Sequence, residues 1–232
     1  MNSEPLAAPR PAALRPARTD RNASVYRDQA FDTAPRAQSS AEAIHRALDI
    51  ILAALALVVL AVPMLVIAVL VRLTSRGPAL YTQERTGLGD EPFVMLKFRT
   101  MRLDAEARSG PVWAKRGDPR RTPLGVILRR LSLDELPQLI NVMRGEMSLV
   151  GPRPERPFFV RDFSKTLPRY HLRHNVLPGI TGWAQVNGWR GDSSIEKRLE
   201  HDLFYIRNRS VFFNLRILLI TPFVIFVEQN AC

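Results

Sequence analysis

Cysteine is almost absent from this sequence, which has one in 232 residues. An intrachain disulfide and a cysteine-rich zinc site are therefore excluded. Lysine is also scarce, since only four of the 33 basic residues are lysine and the rest are arginine. Because an arginine fork matches phosphate oxygens in pairs, the net charge of +11 predicts phosphorylated ligands, anionic lipid or nucleic acid as partners.

Two nucleotide-binding patterns are missing as well. The sequence contains neither G-x-x-x-x-G-K-[ST] nor G-x-G-x-x-G, which argues against a P-loop hydrolase and a Rossmann enzyme. No internal repeat is found, so a solenoid or propeller is not indicated. The length favours one catalytic domain with appendages.

The chain divides into three parts by composition. Residues 1–40 are rich in Ala, Pro and Arg without a sustained apolar period, and they predict a disordered tail. Residues 41–76 predict a membrane helix, and residues 77–232 predict a catalytic domain. An uncharged run near the carboxyl end, residues 217–227, is too short to span a bilayer and predicts an interfacial or buried helix.

The membrane segment carries no charge over residues 50–71. At about 1.5 Å per residue this run is long enough to cross a hydrocarbon core of about 30 Å. Basic residues flank both ends, which satisfies the positive-inside rule on both sides if the helix enters, bends at Pro63 and returns. We therefore predict a re-entrant helix broken at Pro63, with a straight span as the alternative.

A β-hairpin is predicted after this segment, with Gly87 and Gly89 at its turn and an extended run up to Phe98. On such a strand Lys97 and Arg99 share one face. They are either a solvated edge or part of an anion site. Helices are predicted further on, over residues 123–131, 134–144, 154–163 and 194–208.

Two adjacent carboxylates, Asp134 and Glu135, stand in the stretch RRLSLDELPQL. Ser132 and Glu135 match the capping-box pattern, which predicts that the carboxylates cap a helix. Pro137 allows Asp134 as an alternative N-cap. Phosphoryl transfer is the competing interpretation, because it uses a nucleophile, a divalent ion with oxygen ligands, and cations for the phosphate charge.

Three blocks of the sequence resemble a known family. YTQERTGLGDEPFVMLKFRTM, LRRLSLDELPQLINVMRGEMSLVGPRPERP and LPGITGWAQVNGWRG are similar, in this order, to the bacterial sugar transferases, the monotopic polyprenyl-phosphate phosphoglycosyl transferases. The resemblance covers about residues 45–222. It implies a mainly helical α+β fold, with a re-entrant membrane helix and a small β-hairpin in a catalytic domain on the cytoplasmic face of the bacterial inner membrane.

The resemblance also implies a reaction. Family members transfer a sugar 1-phosphate from a UDP-sugar to undecaprenyl phosphate with Mg²⁺. Asp134 would be the nucleophile and a metal ligand, and Glu135 would handle protons or hold the pair in place. The residues implied to bind phosphates are Lys97, Arg99, Arg129 and Arg153. Pro63 matches the helix break, but Val62 stands where the family often has serine, and Asn214 replaces a usual acid.

Other functions have less support from the sequence. A nucleic-acid binder would show a basic stripe interleaved with aromatic residues, which is not seen, so no nucleic-acid partner is predicted. A catalytically silent, membrane-anchored adaptor is the alternative function. The expected partners are a UDP-sugar, undecaprenyl phosphate and membrane lipids, and a homo-oligomer is left open. Glucose and galactose differ by one hydroxyl orientation, so the sugar is not fixed by the sequence.

Overall fold

The fold is described from a computed structural model, which covers residues 40–107, 110, 112, 117–191 and 193–227. The predicted tail therefore lies outside the described residues, except for Ser40. The helices are α1 Ser40–Thr74, α2 Pro123–Arg130, α3 Gln138–Arg144, α4 Pro157–Thr166, α5 Trp183–Val186, α6 Ile195–Asn208 and α7 Val211–Val227. The strands are β1 Leu80–Thr86, β2 Pro92–Phe98, β3 Ser148–Val150 and β4 Gly179–Thr181. The predicted mainly helical α+β class is confirmed.

Strands β1 and β2 form the predicted hairpin. They pair antiparallel, with Leu80 opposite Phe98 and Thr86 opposite Pro92. Gly89 in the turn has a φ of +64°, a left-handed conformation that glycine adopts without a Cβ clash. Residues Met95 and Phe98 of β2 are buried, so the hairpin joins the hydrophobic core through its second strand.

A second strand pair was not predicted. Strands β3 and β4 pair in parallel, with Ser148 opposite Gly179 and Val150 opposite Thr181. Each strand has only three residues, so neither shows a readable alternation of apolar and polar side chains. The pair brings the loop after β3, which contains Arg153, next to the loop before β4.

Helix α1 packs along the domain on both sides of Pro63. Its first half places Ala53 in a core cluster with Leu139 and Met147, and its second half places Val71 against Phe98. Polar contacts add to this packing, since the Asp49 carboxylate accepts a 3.0 Å hydrogen bond from the Leu149 backbone N–H. The opposite face of α1 exposes Val58, Val62 and Leu73.

Helix α1 is long and apolar enough to cross a membrane. Pro63 lies inside this single helix, and the bend predicted at this residue stays a prediction. Helix α7 is also apolar: it buries Ile217 in the core and exposes Phe212, Leu219 and Phe223. In both helices, one face therefore packs on the domain and another face exposes apolar side chains.

Candidate active site

The Asp134–Glu135 pair does not cap a helix. The structure replaces the predicted helix over 134–144 with a 3₁₀ turn, Leu133–Glu135, followed by α3. Ser132 is left-handed, with a φ of +54°, and its side chain makes no capping hydrogen bond. Pro137 precedes α3, also without a side-chain cap. The capping prediction is therefore wrong, because Pro137 starts α3 only after both carboxylates.

Glu135 is held between two cations. Its Oε1 accepts a 2.8 Å hydrogen bond from Lys97 Nζ, and its Oε2 accepts a 3.1 Å hydrogen bond from Arg153 Nη1. A second bond from the same guanidinium completes a forked pair. Burial alone would raise the pKa of Glu135, but the charges and hydrogen bonds of Arg153 and Lys97 lower it. Glu135 is therefore ionised at neutral pH.

Asp134 has the opposite environment. It is 5% exposed, and its carboxylate makes no hydrogen bond within the described part of the chain. Burial raises the pKa of Asp134, while the charges of Lys97, Arg129 and Arg153 counteract the shift. Neighbouring carboxylates whose pKa values are displaced in opposite directions are typical of a functional site.

A large cavity lies in front of the pair. It has a volume of about 750 Å³ and is lined by Asp134, Glu135 and the predicted cations. Further arginines complete its wall, namely Arg85, Arg102, Arg120, Arg156, Arg190 and Arg198. Its size matches the range of small-molecule sites, and its many guanidinium groups favour an anionic ligand. Lys97, Arg129 and Arg153 are thus brought together as predicted.

Arg99 also lines the cavity, but its guanidinium binds the chain at the carboxyl end of α1. Its guanidinium donates to the Ser75 carbonyl and hydroxyl at 2.9 Å each, and to the Arg76 carbonyl. It therefore closes the carboxyl end of α1, whose last carbonyl groups lack helical partners. Lys97 and Arg99 both line the cavity, but their polar groups have different partners, since Lys97 binds Glu135 and Arg99 binds the chain just after α1. This geometry gives no support to a role for Arg99 in phosphate binding.

Three residues of the cavity wall have no counterpart among the predicted site residues. The Glu155 carboxylate accepts a 2.7 Å hydrogen bond from Arg198 Nη1 and lies 3.6 Å from Arg85 Nη1. Arg85 could have been predicted from the sequence, because alternate residues of a strand share one face, and residues 81, 83 and 85 of β1 line the cavity together. Arg198 could not have been predicted as a site residue, because it lies on a helix whose apolar spacing indicated core packing.

These features define a class of protein. A buried carboxylate without a hydrogen-bond partner among the described residues faces a cavity lined by arginines, and an apolar helix packs on the same domain. Such a centre is suited to a membrane-associated enzyme that acts on phosphorylated ligands.

The chain belongs to the bacterial sugar transferase family, whose model matches residues 40–228. It is 45% identical over 192 residues to the UDP-glucose:undecaprenyl-phosphate glucose-1-phosphate transferase of Escherichia coli K12, covering 81% of this chain and 41% of that relative. It is 43% identical over 176 residues to the UDP-N-acetylgalactosamine-undecaprenyl-phosphate N-acetylgalactosaminephosphotransferase of Aeromonas hydrophila, covering 75% and 41%.

A third relative is more similar in length. The UDP-glucose:undecaprenyl-phosphate glucose-1-phosphate transferase of Caulobacter vibrioides is 42% identical over 192 residues, which cover 80% of this chain and 71% of that relative. The chain spans about two fifths of the length of the first two relatives. The matched region contains the whole cavity described above.

Proposed function

We propose that the protein transfers a sugar 1-phosphate from a UDP-sugar to undecaprenyl phosphate in two steps. Asp134 attacks the β-phosphate, forming an aspartyl phosphosugar as the bond to the UMP oxygen breaks. An oxygen of the lipid phosphate then attacks the same phosphorus and releases Asp134. The observation that carries the proposal is the buried Asp134 without a hydrogen-bond partner among the described residues. The names of the three relatives support the substrate class.

The environment of Asp134 suits a nucleophile. A carboxylate that makes no hydrogen bonds within the described residues keeps its oxygen lone pairs available for attack. Lys97, Arg129 and Arg153 supply positive charge where the phosphate charge is redistributed, which is the main contribution a protein makes to phosphoryl transfer. Glu135 stays ionised between Lys97 and Arg153, so the geometry favours holding these cations in place over donating a proton.

Magnesium fits the available donors. No group of three or more metal-ligating side chains exists in the part of the chain that the structure describes. Mg²⁺ typically binds one or two carboxylates and completes its shell with water and substrate phosphates. Asp134 lines the cavity with a carboxylate that makes no hydrogen bond among the described residues, and it is the residue that would hold the ion. When bound, the ion would neutralise phosphate charge.

We also propose that α1 is re-entrant and that the catalytic domain lies on the cytoplasmic face of the bacterial inner membrane. Both halves of α1 pack on the same domain, on either side of Pro63. A helix that crossed the bilayer in a straight line would carry one half away from that domain. Accessibility labelling of tags at residue 40 and at Cys232 should place both in the cytoplasm. Tags on opposite faces would exclude a re-entrant helix.

The sugar is proposed to be a hexose, with glucose and galactose tested first. Membrane fractions that contain the protein are incubated with a panel of UDP-sugars, with and without undecaprenyl phosphate and Mg²⁺, and released UMP is measured. Asp134→Asn should abolish the release. Asp162→Asn is the matched control, because Asp162 is exposed on α4 and its one ion pair among the described residues is a solvent-exposed contact with Lys165.

Isotope exchange tests the covalent step separately. Labelled UMP should enter the UDP-sugar pool without any lipid, because the first step is reversible and precedes lipid binding. Lipid-dependent UMP release without exchange would contradict the aspartyl intermediate but not the overall reaction. Neither release nor exchange with any donor would favour the alternative, a catalytically silent membrane-anchored adaptor.

A further inference from the structure

Thr100 contacts both ends of helix α2. It follows β2 and is 5% exposed. Its backbone carbonyl accepts a 3.0 Å hydrogen bond from the Thr122 N–H, just before the helix begins. Its hydroxyl accepts a 2.9 Å hydrogen bond from Arg129 Nε, in the last turn of the helix. One residue at the end of the hairpin therefore fixes α2 at two points.

Gly125 allows α2 to sit directly on Thr100. A Cβ atom at Gly125 would lie 2.1 Å from the Thr100 carbonyl oxygen, a separation that no other residue type tolerates. Gly125 and Arg129 are four residues apart and lie on the same face of the helix. The face of α2 that rests on the Thr100 carbonyl is therefore the face that carries Arg129 to the Thr100 hydroxyl.

This arrangement determines how Arg129 meets the cavity. The Nε bond to Thr100 is the only hydrogen bond of the Arg129 guanidinium within the described residues. Its two terminal nitrogens therefore remain available on a side chain that lines the same cavity as Asp134. A guanidinium fixed at Nε presents these nitrogens as a fork, the geometry that binds two phosphate oxygens at once.

We propose that Thr100 is a positioning residue whose hydroxyl orients Arg129 toward the diphosphate of the donor. The proposal rests on the proposed function, since it names a residue that serves the same site. Thr100 acts through Arg129 and not on the substrate. Loss of the hydroxyl leaves the Arg129 charge in place but releases its orientation.

The test compares variants of Thr100 that lack the hydroxyl with one that has it. Thr100→Val keeps the carbonyl on which α2 rests, Thr100→Ser restores the hydroxyl, and Thr100→Ala is a second hydroxyl-free variant if the valine protein does not fold. Thr86→Val is the matched control, because Thr86 is 4% exposed and its hydroxyl makes no hydrogen bond in the described parts of the chain.

The first readout is UMP release, measured as kcat and KM for the UDP-sugar. Thr100→Val should lower kcat/KM about tenfold, the lower range for a hydrogen bond to a charged group. Thr100→Ser should return it close to the wild-type value, and Thr86→Val should not change it. In an Arg129→Ala background Thr100→Val should have no further effect, because the two residues act as one unit.

The second readout does not depend on the sugar donor. Calorimetric titration of the detergent-solubilised full chain with inorganic pyrophosphate and Mg²⁺ should show about tenfold weaker binding in Thr100→Val, but not when Arg129 is alanine. Equal binding by wild type and Thr100→Val, equal weakening in both backgrounds, or no binding by the wild type would overturn the proposal. Absence of UMP release together with Thr100-dependent pyrophosphate binding would overturn only the proposed function.

Discussion

Asp134→Asn should inactivate the protein and stabilise it at the same time. The Asp134 carboxylate is buried and has no hydrogen-bond partner among the described residues, so its charge is costly in the folded state. An unsatisfied buried polar group costs about 1–3 kcal/mol, and a charged one costs more. The neighbouring cations Lys97 and Arg129 offset part of this cost. We therefore expect asparagine to raise the free energy of unfolding by about 1 kcal/mol, which corresponds to a rise in Tm of about 2–4 °C for a domain of this size.

Thermal unfolding of the detergent-solubilised protein in EDTA measures this effect without bound metal. Asp162→Asn is again the control, and it should leave both Tm and UMP release unchanged because exposed ion pairs contribute little. A lower Tm for Asp134→Asn with an unchanged control would refute the reasoning, since the carboxylate would then be part of what holds the fold together. Unchanged UMP release would refute its role as nucleophile.

Three further predictions concern the surroundings of the site. Glu135→Gln should lower the free energy of unfolding by about 2 kcal/mol, less than for a fully buried ion pair, because it leaves two partly buried cations without a counter-charge. Denaturant unfolding, with exposed Glu84→Gln as control, measures the loss. Arg99→Lys should slow lipid-dependent transfer but spare UMP exchange, because it loosens the end of α1 and not the donor site; equal losses in both assays would show that Arg99 binds the donor. Burial and the charge of Arg173 lower the pKa of His174 to about 4. The unfolded chain then binds a proton between about pH 6.5 and 4 that the folded chain does not, so wild type should lose stability as pH falls through this window, and His174→Gln should show a shallower loss in a thermal-unfolding pH series.

The elements with strong local signals could be predicted. Helix α1 follows from its uncharged length, the hairpin from two glycines between extended runs, and α6 from its apolar spacing. Strands β3 and β4 could not be predicted, because three-residue parallel strands depend on a partner that is distant in sequence. Such pairing leaves no periodic pattern in either segment.

The candidate site was likewise predicted only in part from the sequence. Asp134 and Glu135 were found because two acids beside arginines and prolines are unusual, but the sequence favoured capping equally. Only the structure shows that both acids lie in a 3₁₀ turn that ends before α3 begins. Strand alternation placed Arg99 near the cavity, but it could not predict that the guanidinium binds the end of α1. The direction of a long side chain at a strand end depends on packing against other elements, here the end of α1.

The end of β2 connects the membrane helix to the site. Arg99 holds the last turn of α1, Thr100 holds Arg129, and Lys97 holds Glu135. In the proposed reaction the donor comes from water and the acceptor phosphate lies at the level of the lipid headgroups. One carboxylate serves both substrates only if its distance from the membrane is fixed by rigid elements, because small errors in position cost large factors in rate. Lys97, Arg99 and Thr100, at the end of β2 and just after it, fasten Glu135, the end of α1 and α2 respectively, and they provide that rigidity.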